Sequence, residues 1–403
     1  MLRVKPLIIY PMDLLGSKIG GIQTFIKNFI KYAPDDFDIE LIGVSSDKEN
    51  RPVGKWQNIK IYDKNINFLP VLYVKDENVR PRIPLSLKFA LALLKYKKLF
   101  DCNSRILSYH RIESSLSFIN RPARHLLFIH NNMIDLLYSP LTESKWRKFP
   151  SFYFHLEKRV IGKMDKVFVV IEDVVKFYRE KYPFMADRFS FLPTWVDEET
   201  FSPYENEIKV RHKTIFSKSK NFPPNAKLIL FVGRLEGAKD PLLLIDAFNY
   251  INKHAPQTRM LIVGKGLLKR KMLSKVEKYG LKEKVLFFGN LSQDKIAELM
   301  KISDVFLLTS AFEGMPMGVL EALACGLPVV SADVGEVKRT VRDGFSGLIC
   351  SKRSADIIGN AVLKILKEKK ISIENCLSSI KDYTAGRVLS EVYEVYRNLG
   401  AKR

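Results

Sequence analysis

The stretch Asp304-Val-Phe-Leu-Leu-Thr-Ser310-Ala-Phe-Glu313-Gly-Met-Pro-Met-Gly-Val-Leu-Glu321-Ala-Leu-Ala-Cys-Gly-Leu-Pro-Val-Val330-Ser331 decides the fold. Val305–Leu308 is a short apolar run that reads as a buried strand. A loop with Gly314 and Pro316 follows it. Gly318–Cys325 then carries good helix formers, Gly326 ends them, and Pro328–Ser331 starts a second apolar run. A strand, a loop, a helix and a strand in so short a span make a βαβ unit, whose two strands must be parallel.

Working outward, the alternation repeats. Leu228–Val232, Met260–Val263 and Val285–Phe288 read as strands, separated by helical patterns at Leu242–His254, Leu267–Tyr279 and Gln293–Ile302. Earlier, Leu7–Tyr10, Ile39–Val44, Ile106–Tyr109, Leu126–His130, Val167–Ile171 and Ser190–Leu192 read as strands. Ile22–Tyr32, Leu85–Phe100 and Thr142–Lys163 read as helices between them. Two such series predict two doubly wound α/β domains with parallel sheets covered on both faces. Pro193 and Pro203, with the acidic cluster between them, break the periodicity. We therefore divide the chain into 1–196 and 197–385, and expect a final helix at about 386–403 to pack back on the first part. Lys209–Asn225 is basic and polar and reads as a loop or irregular helix. Ligands of such sheets bind at the carboxyl ends of the strands, so two of them facing one another would enclose a cleft.

Composition narrows the class. The chain has 403 residues and four scattered cysteines, too few for a disulfide framework or a paired-cysteine zinc site. The apolar stretch after Pro6 is too short for a signal-peptide core, and no run approaches the ~20 residues that span a bilayer. A cytoplasmic protein is expected. The net charge is +22, and it is uneven: residues 51–100 hold 11 basic and 3 acidic residues, 251–300 hold 11 and 4, and 301–350 hold 4 and 6. From Leu85 apolar residues recur at helical spacing beside Lys88, Lys95, Lys97 and Lys98. Such a helix either lies on an anionic membrane or packs with its lysines solvated. Nucleic acid is not expected, because no RNA-binding, zinc-finger or basic-zipper pattern is present.

Four places could carry chemistry. Gly16–Phe25, with paired Gly20 and Gly21, joins a strand to a helix; its backbone could approach an anion, or it could be a simple turn. It is neither a dinucleotide fingerprint nor a Walker loop. Arg234 and Lys239 follow the strand ending at Gly233 and suit a diphosphate, or are solvated loop cations. In the opening stretch Glu313 reads as an exposed carboxylate at a strand end. It stands before a helix whose first N–H groups, on Met317, Gly318 and Val319, suit an anion, with Glu321 one turn in. His130, in Phe128-Ile-His130-Asn131-Asn132, and His110 each end a strand of the first half.

Together these residues resemble glycosyltransferase family 4, retaining GT-B transferases of bacterial polysaccharide and glycolipid assembly. The resemblance rests on Gly20-Gly21, His130-Asn131, Gly233-Arg234-Leu235 with Lys239, and Glu313 with Glu321. Asp304–Ser310 and the helix ending Glu321-Ala-Leu-Ala-Cys-Gly-Leu-Pro328 match as well. It is strong from Leu228 to Gly347 and looser before Pro203. It implies a GT-B fold of two Rossmann-like domains and a nucleoside-diphosphate sugar, UDP- or GDP-linked, as substrate. The acceptor would be lipid-linked or a glycan, with no cofactor and no metal. Arg234, Lys239, Gly20, Gly21 and the N–H groups of Met317, Gly318 and Val319 would hold the donor diphosphate, and Glu321 the ribose. Glu313 and His130 would act at the transferred hexose.

Four positions depart from the family pattern. Asp240 stands where the family usually has Gly, Met315-Pro316 replaces Phe-Gly, Thr194-Trp195 replaces Asn-Gly, and Val334-Gly335-Glu336 is a shortened Gly-Gly loop. Asp36-Phe-Asp38 has the spacing of a metal-binding pair but reads as a surface turn. The rival readings are a GT-B nucleotide-sugar epimerase, a phosphorylase, which would need a pyridoxal-bearing Lys, and a non-catalytic basic protein binding membrane or nucleic acid.

Overall fold

A computed structural model describes residues 3–16, 20–77, 83–103, 105–130, 145–368 and 370–401. Ser17–Ile19 of the first glycine loop, Asn131 and Asn132, and the first residues of the predicted helix at 142–163 lie outside them. The described residues form two compact units. One runs to Pro193 and takes in the chain from Gly386 onward; the other holds Thr194–Ala385.

The first unit is built on strands β1 (Pro6–Ile9), β2 (Glu40–Ser45), β3 (Gln57–Ile61), β4 (Lys64–Tyr73), β5 (Ile106–Tyr109), β6 (Arg124–Ile129), β7 (Lys166–Val169) and β8 (Phe189–Phe191). Their order in the sheet is β3-β4-β2-β1-β5-β6-β7-β8, and every pair is parallel except β3 with β4. The second is built on β9 (Lys227–Val232), β10 (Thr258–Val263), β11 (Val285–Gly289), β12 (Val305–Leu308), β13 (Val329–Ala332) and β14 (Gly347–Cys350). It is parallel throughout, in the order β11-β10-β9-β12-β13-β14. Helices on both faces bury β1, β12 and β13 along their whole length, which is why these strands are continuous apolar runs. Two Rossmann-like sheets, parallel but for the β3–β4 hairpin, agree with the expected GT-B fold.

Each sheet changes winding direction once. In the first the reversal falls between β1 and β5, in the second between β9 and β12. At such a point the loops leaving two neighbouring strands diverge and open a crevice at the carboxyl edge.

Several elements differ from the sequence reading. The β3–β4 hairpin was missed because Asn and Lys alternate with its apolar residues and its turn is made by Tyr62 at φ 52°. β14 was missed too, being short and starting on Gly347. Lys209–Asn225 is not a loop: Asn206–Ser219 is a regular helix. The helix from Leu85 ends at Lys95, and Lys97–Leu99 is a separate 3-10 turn. Glu172–Lys181, Ala355–Glu368 and Ile373–Ile380 are helices that the pattern did not reveal. Asp36 and Asp38 do lie in and after a turn, paired with Arg397 and Arg3.

Candidate active site

In the second unit the loops leaving β9 and β12 bring Lys239 against Glu313. The two side chains form a short ion pair, and Ser310 Oγ donates to the same Glu313 oxygen at 2.6 Å. The backbone fixes this arrangement. Thr309 Oγ1 donates to the carbonyls of Lys239 and Asp240 at 3.0 and 3.1 Å, and Ala311 N–H donates to Ala238 O at 2.9 Å. Glu313 was expected to be exposed; its side chain is only 9% exposed, because Lys239 and Ser310 cover it.

Arg234 does not join that pair. Its side chain is 61% exposed and its guanidinium donates to Glu236 at 2.6 Å. Both candidate diphosphate cations therefore carry a carboxylate. Glu236 was not singled out from the sequence, where an acid beside two cations looks like ordinary loop charge.

Asp240 is in the left-handed region, φ 41°, where glycine is at ease and Asp among the better tolerated residues. It caps the helix Pro241–His254, accepting from Leu243 N–H at 3.3 Å, and pairs with Arg353. Its charge is thus taken up by the helix end and Arg353. The departure from Gly keeps the backbone shape and adds a cap.

Two further loops wall the site, and sequence reading missed one of them. A Cβ on Gly264 would lie 1.9 Å from Gly233 O, and one on Gly266 would lie 2.3 Å from Leu235 O. Leu235 N–H donates to Lys265 O at 3.0 Å. The segment Gly264-Lys265-Gly266 therefore presses directly on the Gly233-Arg234-Leu235 backbone; its signal was only a Gly-x-Gly after a strand. On the other side Glu336 N–H donates to Gly314 O at 2.9 Å, and a Cβ on Gly335 would meet Gly314 O at 2.2 Å. The shortened loop thus still clasps Glu313-Gly314.

The helix Met317–Ala324 starts at this crevice. Met317 and Gly318, its first two residues, have no acceptor one turn back within the helix. Val319 N–H differs from expectation: it is committed to Pro316 O at 3.1 Å. Glu321 is 8% exposed, and burial, then neighbouring Asp197, pushes its carboxyl up to about 7. Asp197 is itself buried and accepts from Thr200 Oγ1 at 2.8 Å. Trp195 is wholly enclosed, and Thr194 N–H points at Met315 Sδ at 3.1 Å, so two of the departures touch each other.

The first unit places His110 and His130 together at its own reversal, just beyond β5 and β6. His110 Nδ1 and His130 Nε2 are 2.8 Å apart. Phe25, from the helix Gly21–Lys31, stands edge-on to both rings at 5.5 and 5.0 Å. Removal from water, then nearby Arg111, pushes His130 down to about 3, and His110 is lowered for the same first reason. Both imidazoles are neutral at working pH. Gly20 caps the helix in extended conformation and Gly21 opens it.

Residues 212–378 match the family described as glycosyl transferases group 1. Among curated proteins, the Escherichia coli UDP-Gal:alpha-D-GlcNAc-diphosphoundecaprenol alpha-1,3-galactosyltransferase is 31% identical over 198 residues, 48% of this chain and 49% of that one. A D-inositol 3-phosphate glycosyltransferase of Streptomyces bingchenggensis is 27% identical over 202 residues, 48% and 43%. The chain spans about half the length of the curated relatives it matches. Among solved structures, sucrose-phosphate synthase from Thermosynechococcus elongatus superposes with a TM-score of 0.80 at 18% identity, covering 100% of both chains. Anabaena HepE, solved in complex with UDP-glucose, superposes at 0.70 and 14%, covering 98% and 100%. These two show the shared fold.

Proposed function

We propose that this chain is a glycosyltransferase that moves a hexose from a UDP- or GDP-sugar to a lipid-linked or polysaccharide acceptor of cell-envelope glycan synthesis. It acts with retention at the anomeric carbon and without a bound metal, in the cytoplasm at the anionic inner face of the membrane. One observation carries the reading. The Lys239–Glu313 pair, supported by Ser310, sits where the second sheet reverses, inside the segment that matches the transferase family.

The chemistry follows from the charges. Breaking the sugar–phosphate bond builds negative charge on the departing diphosphate and positive charge on the sugar. Without donor, Arg234 and Lys239 are neutralised by Glu236 and Glu313. An incoming diphosphate takes over the two cations, joined by the Met317 and Gly318 N–H groups at the helix start. Glu313 is then free to accept from sugar hydroxyls. Glu321, ionised, accepts from the ribose hydroxyls. Gly20 and Gly21 are assigned to the diphosphate, and His130 to the sugar. A neutral imidazole can hydrogen-bond there without opposing the developing positive charge.

A thermal-shift panel of UDP- and GDP-sugars tests the first half of this reading, and release of nucleoside diphosphate with a lipid-linked acceptor in EDTA tests the second. Stabilisation by one nucleotide family and acceptor-dependent release are expected. No shift with any donor would favour a binding protein on this fold, and conversion of the donor without acceptor would favour an epimerase.

A further inference from the structure

The stretch from Ile83 to Phe100 contains no acidic residue. Its helix, Leu85–Lys95, turns Phe89 and Leu93 into the core of the first unit, both 0% exposed. Its outward side should then be polar. Instead Leu87, Leu91 and Leu94 stand 48%, 60% and 52% exposed, and at 100° per residue they fall within an arc of about 60°. Ile83 and Leu99, at either end, are exposed as well. Single exposed leucines are ordinary, but a contiguous row of them on one element marks a binding surface. Lys88 and Lys95 lie along one edge of the row, and Lys97 and Lys98 follow it. None of the four has an ion-pair partner among the described residues.

Beside the last turn a groove of about 490 Å³ opens between this helix and the end of β4, with Lys48, Lys95, Tyr73 and Tyr96 on its walls. Lys48 Nζ lies 4.5 Å from the centre of the Tyr73 ring. Trp56, partly exposed, donates from Nε1 to Leu99 O at 3.1 Å, so an amphipathic indole borders the same edge. An apolar row, a cationic border and a wet aromatic edge fit the boundary between acyl chains and phosphate headgroups.

We propose that the Leu87–Leu91–Leu94 row docks the first unit on an anionic lipid leaflet, the leucines entering the acyl boundary and Lys48, Lys88, Lys95, Lys97 and Lys98 meeting lipid phosphates. This rests on the reading that the chain works at a membrane, and it locates the contact on one helix. A lipid surface is preferred to a protein partner because every charged residue of the stretch 83–100 that carries the row is a lysine.

The test is flotation of the full chain with phosphatidylcholine vesicles, with and without 30% phosphatidylglycerol, and light scattering of the free protein. Wild type should bind the anionic vesicles and shift Trp56 emission to the blue. Binding should fall about tenfold in 0.5 M salt. The triple variant Leu87→Ser, Leu91→Ser, Leu94→Ser should lose about 100-fold in partitioning yet keep its circular dichroism and its thermal shift with donor. Equal binding by the triple variant overturns the inference while leaving a membrane location intact, since the basic stretch 251–300 would then be responsible. No vesicle binding by wild type overturns both. A wild-type dimer that the triple variant converts to monomer, without vesicle binding, would mean that the row joins two copies of this chain. The donor shift, measured on the same samples, reports separately on the transferase reading.

Discussion

The two units present the same topological feature and fill it with opposite chemistry. At the reversal of the second sheet stand paired charges, Lys239 with Glu313 and, beside it, Arg234 with Glu236. At the reversal of the first stand two neutral imidazoles in an aromatic setting, His110 and His130 with Phe25. A parallel sheet that changes direction supplies a crevice but not its polarity; the residues that follow each strand decide that. A charged crevice suits a diphosphate. A crevice lined by neutral imidazoles and an aromatic ring offers hydrogen-bonding groups without net charge.

The sharpest way to break this comparison is to remove the charge. Lys239→Ala should lower kcat/KM by about 10³-fold, because it removes the leaving-group cation and strands Glu313. Steady-state kinetics on folded protein checks it, and full activity would refute the assignment. His130→Ala should cost about 10²-fold in kcat while leaving the donor thermal shift as it was. A lost donor shift would instead mean that the neutral crevice takes part in nucleotide binding.

A finer test uses proton linkage at Glu321. Its carboxyl is raised from 4.5 to about 7, so the folded protein holds this proton more tightly than the unfolded chain. The stabilisation is complete below about 4.5 and is lost as pH rises through about 7. Glu321→Gln should therefore raise the melting temperature at pH 8 and change it little at pH 4.5. If the ionised form holds the ribose, donor KM in wild type should fall about tenfold from pH 6 to pH 8. In the Gln variant it should be high and flat. The smallest effect is expected at Asp240. Asp240→Ala places a β-carbon residue without a cap at φ 41° and should cost about 1–2 kcal/mol in urea unfolding. Asp240→Gly should cost only a few tenths.

The second sheet was legible because β9, β10, β12 and β13 are sealed on both faces, and full burial writes an unbroken apolar run into the sequence. The candidate residues were legible as positions, since they follow those runs directly. Their partners were not. Glu236 and Asp197 are ordinary acids until the fold sets them beside Arg234 and Glu321. Gly264 and Gly266 matter through a close approach to Gly233 and Leu235, which no local pattern encodes. The β3–β4 hairpin stayed hidden for the opposite reason: one of its faces is open, and Asn and Lys dilute its signal.

The terminal helix Ala385–Ala401 has a temporal consequence. Tyr393 bonds Phe29 O at 2.8 Å, Tyr396 bonds Ser108 Oγ at 2.6 Å, and Arg397 holds Asp36, contacts spanning 364, 288 and 361 residues of sequence. On the ribosome, everything between must be synthesised before these contacts can form. The unit that is translated first is thus the one completed last, while the inserted second unit has all its strands at hand earlier. A nascent chain arrested near residue 385 should expose Phe29 and Phe37, both buried against those tyrosines in the finished protein, to any chaperone within reach.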